Sequence, residues 1–138
     1  MIIFIDSNIP MYVIGQDHPN KQTSILLLER FIGEKHRLVT STEVLQEILH
    51  RYKAIDRTAA IQPAFDCLYG IVDEVLPVTE ADVLEAKKNV LAYKGLSARD
   101  ALHVAHVKNH DLSAIMSFDG GFDQVPGVTR IWDLSARF

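Results

Sequence analysis

Four acidic residues of this 138-residue chain stand where a carboxylate does more than wet a surface. Asp6 follows the apolar run Ile2-Ile3-Phe4-Ile5, and Asp119 follows Ala114-Ile115-Met116-Ser117-Phe118 and precedes a Gly120-Gly121 turn. If both runs are buried strands, each releases an acid at its carboxyl end. Asp100 lies in the segment from Ala98 to His110, where a helical projection at about 100° per residue sets it between Val104 and Val107, in an apolar arc shared with Ala101 and Ala105. A carboxylate facing a core needs a cation, hydrogen bonds or a shifted pKa to persist there. Glu43 opens another helical segment after the run ending at Val39. Its polar stripe continues through Glu47 and His50, as a solvated face or one wall of a groove.

Each acid also has an ordinary structural explanation. Asp6 or Ser7 suits the cap of a helix starting near Asn8, Ser97 and Asp100 fit a capping box, and so do Thr40 and Glu43. Asp119 before two glycines is a good turn former, and Asp123 serves equally as a second turn residue. The case for chemistry is collective. Four carboxylates delivered to one small space repel, and protonation or a bound hard cation with oxygen ligands relieves the repulsion. Mg²⁺ or Mn²⁺ suits such an all-carboxylate site, and carboxylate-bound magnesium is common equipment for phosphoryl chemistry.

The elements that must position these residues are short apolar runs alternating with longer helical segments. Strands are expected at Ile2 to Ile5, Leu38 to Val39, Val75 to Val78, Ala114 to Met116 and Val128 to Trp132. Helices are expected over Thr23 to Glu34, Thr42 to Ala54, Arg57 to Val72, Thr79 to Tyr93 and Ser97 to His110. This alternation predicts a parallel sheet covered on both faces, with polar ligands at the carboxyl ends of its strands. No repeat, low-complexity segment or Pro/Gly/Ser-rich linker divides the chain, so residues 1–138 are expected to form a single domain.

Composition excludes several classes. Cys67 is the only cysteine, so neither a disulfide framework nor a thiolate zinc cluster can form within one chain, and the residue reads as packing in an apolar helix. No run approaches the roughly 20 apolar residues of a membrane span, and the first apolar run lacks a basic leader, so a cytoplasmic protein is expected, with no membrane partner. There is no Gly-x-Gly-x-x-Gly or Walker loop, and Arg99 stands where a serine-hydrolase elbow in Gly95-Leu96-Ser97-Ala98-Arg99 needs glycine. His103, His106 and His110 share an arc of about 60° and read as a solvated or dimer-facing stripe, because no fourth zinc ligand of suitable spacing is evident. Ile25 to Leu28, with Phe31 and Ile32, is apolar beyond one core stripe, which suits core burial or a dimer interface. The net charge of −4 is unusual for a nucleic-acid binder. Setting the four acids aside reduces 18 acidic residues to 14, equal to the 14 Lys and Arg. Basic clusters remain at Lys35-His36-Arg37, His50-Arg51-Tyr52-Lys53 and Lys87-Lys88.

Four segments together carry a family resemblance. Ile3-Phe4-Ile5-Asp6-Ser7-Asn8, Val39-Thr40-Ser41-Thr42-Glu43-Val44-Leu45-Gln46-Glu47-Ile48, Leu96-Ser97-Ala98-Arg99-Asp100-Ala101-Leu102-His103-Val104-Ala105 and Ser117-Phe118-Asp119-Gly120-Gly121-Phe122-Asp123 resemble, in order and spacing, the acidic motifs of PIN domains. The compact length resembles the VapC toxins of bacterial type II toxin–antitoxin pairs. The resemblance implies a Rossmann-like three-layer α/β/α sandwich around a parallel sheet of four to five strands. It also implies Mg²⁺ or Mn²⁺, endonucleolytic cleavage of RNA, a homodimer and inhibition by a VapB-like antitoxin. Carried over residue by residue, Asp6, Asp100 and Asp119 are the principal metal ligands and Glu43 helps hold the metal or orient the attacking water. Ser7, Asn8, Ser117 and Asp123 form a supporting shell, while Arg99, Arg51 and Lys53 frame a groove for the RNA backbone. Two other readings are a PIN-fold module that binds RNA or protein without cutting, and a magnesium phosphatase. The latter usually carries a second Asp two residues after the first, where this chain has Asn8.

Overall fold

Isoleucine and phenylalanine favour a pleated backbone, and Ile2–Ile5 forms β1, the middle strand of a five-stranded sheet in the computed structural model, which describes residues 1–136. Ile3, Phe4 and Ile5 are all fully buried, the pattern of a strand covered on both faces. β2 (Arg37–Ser41), β3 (Glu74–Leu76), β4 (Ala114–Met116) and β5 (Arg130–Ile131) join it in the order β3-β2-β1-β4-β5. Every neighbouring pair is parallel, with Phe4 opposite Val39 on one side and Ile115 on the other.

Parallel neighbours require crossovers, and helices supply them. These are α1 (Asn8–Ile14), α2 (Pro19–Gly33), α3 (Thr42–Ala54), α4 (Ile61–Ile71), α5 (Glu80–Ala92) and α6 (Ala98–Asn109). α1 packs on α2 and α4, α5 packs on α6, and α3 touches both α4 and α6. The result is the expected three-layer α/β/α sandwich. None of the described helices is long and apolar enough to cross a membrane.

Local chemistry sets the helix starts. Ser41 caps α3 through Val44 N–H (3.3 Å), Ser97 caps α6 through Asp100 N–H (3.1 Å), and Thr79 with Asp82 closes a reciprocal capping box on α5. Three expectations need adjustment. α2 begins at Pro19 rather than Thr23, because His18 caps it and proline is pre-set for the first helical position. The segment expected as one helix from Arg57 divides into a 3₁₀ turn, Thr58–Ala60, and α4, whose first turn holds Pro63, a residue without an N–H. α1 was read only as a possible capped start near Asn8, because seven residues show too few turns for a helical period to emerge.

From β1 the chain winds outward through β2 to β3, then crosses to β4 and β5 on the other side. The reversal opens a crevice at the carboxyl ends of β1 and β4, where open α/β sheets bind ligands. Asp6 is the residue after β1, and Asp119 comes three residues after the end of β4.

Candidate active site

Asp6 is almost fully enclosed and its two oxygens are held separately. Oδ1 accepts the Ser7 N–H (2.7 Å), while Oδ2 accepts the Ser117 hydroxyl (2.6 Å) and the Asn8 amide (3.4 Å). Ser117 Oγ in turn accepts from Asn8 Nδ2 (3.1 Å) and from Asp119 N–H (3.0 Å), so one hydroxyl joins the loops after β1 and β4. Burial raises the Asp6 pKa, against the pull of His103 and of these hydrogen bonds. Ser7, Asn8 and Ser117 thus stand beside Asp6. Asp123 does not. Its carboxylate makes two 2.9 Å hydrogen bonds to Arg130, whose Nη1 reaches Ser117 O at 3.3 Å, so it meets the site only through that arginine.

Asp100, from the first turn of α6, meets Asp119 in a carboxyl pair. Burial, the hydrogen bond to Asp119 and the charges of Asp119 and Asp6 push the Asp100 carboxyl up to about 8. Asp119 shifts the other way, lowered first by the same hydrogen bond and then by Gly121 N–H at 2.8 Å. The two shifts oppose each other because like charges at close range disfavour double ionisation, and the protonated form is favoured at Asp100. Gly121 leaves room for the pair. A Cβ at that position would press on Asp119 Oδ1 at 3.1 Å and touch Asp100 Oδ2 at 3.9 Å.

The fourth acid differs from the expectation. Glu43 points to the rim, 3.9 Å from Arg99, and is not among the residues lining the cleft. Glu47, one turn further along α3, lines it instead, with Oε2 accepting the Ser7 hydroxyl at 3.1 Å and Oε1 bound to His103 Nε2. α3 buries Val44, Ile48 and Tyr52. On a wheel at about 100° per residue Glu47 sits some 60° from Val44, and Glu43 about 100°. The signal was present in the sequence as a second acid nearer the apolar arc. The basic frame changes for the same reason. Arg51 lines the cleft and is joined by Arg57, which the sequence reading passed over, whereas Lys53 lines a separate shallow surface with Gln46 and Leu49, and Arg99 stays at the rim beside Glu43.

The histidines correct a second expectation. His103 and His106 are fully buried and only His110 is exposed, so they form no solvated stripe. His106 Nδ1 faces Leu102 O (3.1 Å) and Nε2 faces Pro77 O (3.2 Å) and Asp82 (3.4 Å), a network that ties α6 to the start of α5. His103 Nε2 lies against Glu47 and 3.5 Å from Asp6 Oδ1. Burial opposes its charged form, but the Glu47 hydrogen bond and the charges of Asp6, Glu47 and Asp100 outweigh burial and hold the imidazole at about 9.

The cleft has a volume of about 480 Å³, with Asp6, Glu47, Asp100 and Asp119 along it together with Arg51 and Arg57. Its donor set suits a hard divalent cation. Asp6, Glu47, Asp100 and Asp119 offer carboxylate oxygens along one cleft, and the raised pKa of Asp100 beside Asp119 marks a deficit of positive charge that a cation would relieve.

Known proteins place the chain in a family. The family model described as PIN domain matches residues 3–128. Ribonuclease VapC13 of Mycobacterium tuberculosis is 55% identical over 130 residues, covering 94% of this chain and 99% of that protein. Ribonuclease VapC23 of the same species is 36% identical over 118 residues, covering 86% and 93%. Among solved structures, VapBC2 from Rickettsia felis bound to a promoter DNA fragment superposes with a TM-score of 0.74 at 20% identity, over 96% of this chain and 100% of that one. M. tuberculosis VapC20, described as a sarcin–ricin loop cleaving toxin, gives 0.73 at 20% identity, over 92% and 98%.

Proposed function

The chain belongs to the PIN-domain family and within it to the VapC ribonucleases, and from that premise we propose that it is a divalent-metal-dependent endoribonuclease, the toxin of a type II toxin–antitoxin pair. One observation carries the reading: at the switch point of the sheet, Asp6, Glu47, Asp100 and Asp119 line one cleft. Asp6, Asp100 and Asp119 would hold the Mg²⁺ or Mn²⁺, and Glu47 would take the part expected of Glu43. When bound, the cation supplies Lewis acidity toward the phosphodiester and makes hydroxide available near neutral pH.

The protein's own groups do the rest. Ser7, Asn8 and Ser117 fix Asp6 through three donors, and the Ser7 and Ser117 hydrogen bonds favour its charged form against the opposing effect of burial. Arg51 and Arg57 give the cleft its positive wall, placed to hold the RNA backbone beside the acids. A cation held by these carboxylates would compete with the proton on Asp100, whose pKa is raised to about 8.

A VapB-like antitoxin is the expected partner, since similar folds have been solved as toxin–antitoxin complexes. We propose that it inhibits by setting an arginine against the same carboxylates, within a homodimeric toxin in the cytoplasm. The direct test is cleavage of bulk tRNA and ribosomal RNA by purified protein with Mg²⁺, with Mn²⁺ and with EDTA, beside Asp6→Asn and Asp100→Asn. Cleavage that needs the cation and both aspartates is the expected result. Equal cleavage in EDTA would overturn the metal mechanism.

A further inference from the structure

His103 stands outside the set of acids on which the ribonuclease reading rests, yet it touches two members of the cleft at once. α6 brings it in one turn after Asp100, and its ring is enclosed with Phe4 at 5.2 Å and Phe122 at 6.4 Å between centroids. Nε2 is bound to Glu47 Oε1 and faces Asp6 Oδ1 at 3.5 Å, whereas Nδ1 is buried without any hydrogen-bond partner. The contrast with His106, three residues on, is informative. That ring is as deeply buried, but both its nitrogens have oxygen partners. An orphaned buried nitrogen is uncommon in a native interior and persists where another demand fixes the group. For His103 that demand is Glu47, whose side chain starts in the second turn of α3 and has both oxygens engaged, one by His103 and the other by the Ser7 hydroxyl.

We propose that His103 is a positioning residue: its Nε2 draws the Glu47 carboxylate across from α3 to the side of Asp6 and holds it in the place where the cation binds. Packing against Phe4 and Phe122 supplies the rigidity, and the unsatisfied Nδ1 is the consequence of aiming Nε2 at the carboxylates. The effect on cleavage rests on the ribonuclease reading, while the effect on cation binding stands without it.

The experiment compares wild type with His103→Gln, His103→Asn, His103→Phe, Glu47→Gln and the double variant His103→Asn/Glu47→Gln in the full-length protein. Mn²⁺ affinity is measured by calorimetry without RNA, and kcat and KM are measured on bulk tRNA and ribosomal RNA. Glutamine can place an amide N–H near the imidazole Nε2, whereas asparagine reaches only the Nδ1 position and phenylalanine offers no donor. His103→Asn and His103→Phe are expected to lose roughly 10- to 100-fold in Mn²⁺ affinity and in kcat with KM little changed, and His103→Gln to recover most of both. The double variant should bind no more weakly than Glu47→Gln alone, because both changes remove one interaction. If glutamine and asparagine behave alike, or if the losses multiply in the double variant, the positioning role is wrong. The two amide variants carry this comparison even if His103→Phe does not fold. A wild type that binds Mn²⁺ but cuts no RNA overturns the ribonuclease reading alone, and calorimetry still decides the role of His103. A wild type that binds no Mn²⁺ overturns both.

Discussion

Asp100 and Glu47 show how a carboxylate's surroundings decide what it does. Asp100 has its pKa raised to about 8 by burial and by Asp119, and His103 is raised to about 9 by Glu47 and its acidic neighbours in spite of burial. Without metal, both groups bind protons in the folded state that the unfolded chain releases at lower pH. The stability they contribute is therefore complete below their unfolded pKa values and is lost as pH rises through 8 to 9. Urea melts in EDTA should show stability falling between pH 6 and pH 9, and Asp100→Asn should flatten that slope. The amide keeps a donor toward Asp119 but has no proton to lose, so the variant should be more stable than wild type at pH 9, on the order of 1–2 kcal/mol after allowance for solvent screening. A slope of opposite sign would remove the proton on Asp100 from the account. The placement of the fourth acid has its own test. Glu47→Gln is expected to reduce kcat about 10- to 100-fold, while Glu43→Gln at the rim leaves it within about two-fold. The reverse ranking would restore the assignment made from the sequence.

At the scale of elements, helix starts bring these side chains to the sheet edge. Ser97 caps α6 through Asp100 N–H, but the expected box is not closed, because the Asp100 carboxyl turns to Asp119 instead of back to the helix start; the cap and the functional acid share one local structure, with His103 one turn further on. Asp82 is the instructive contrast. It is buried with His106 and near His110, in a grouping that could hold a metal. Its oxygens, however, are already taken by Thr79 N–H (2.9 Å), the Thr79 hydroxyl (3.0 Å) and Asn109 (2.9 Å). These bonds close the start of α5 and pin it to the end of α6, and they hold the Asp82 pKa low against the opposing effect of burial. Asp82→Ala should cost about 1–3 kcal/mol in a urea melt while leaving kcat per folded molecule unchanged. Zinc raising the melting temperature of wild type but not of Asp82→Ala would show that this cluster binds metal after all.

For the molecule as a whole, the crossing of the chain from β3 to β4 makes the cleft, because it leaves the carboxyl ends of β1 and β4 without a helix between them. The cleft gathers negative charge at its floor, so a cation that binds only the folded state should stabilise the entire domain. At about 100 times its dissociation constant, Mg²⁺ or Mn²⁺ should add roughly 2.7 kcal/mol, or about 8–12 °C in Tm for a chain of this size. Scanning calorimetry across metal concentrations checks this, and Asp119→Asn should show a much smaller rise. A melting temperature indifferent to both cations would leave the converging carboxylates without the proposed ligand.

Much of this arrangement follows from short-range information. The β-branched run of β1, the serine and threonine caps and the helical periods of α3, α5 and α6 are encoded within a few residues of where they act, and so are Asp6, Asp100 and Asp119 at strand ends and a helix start. The identity of the fourth acid is not encoded in that way. Glu43 and Glu47 lie about 40° apart on one helix, and the orientation of α3 against β2, α4 and α6 turns Glu47 inward. The histidines follow the same logic. Periodicity puts His103, His106 and His110 on one side of α6, but only Phe4 and Phe122, each distant in sequence, seal His103 and leave its Nδ1 without a partner. Arg57 joins the cleft because the turn after α3 brings the chain back over the site, and Lys53 leaves it because it lies about 200° round α3 from Arg51. Local propensity determines which elements form, whereas packing between distant segments determines which face of each element meets the cleft.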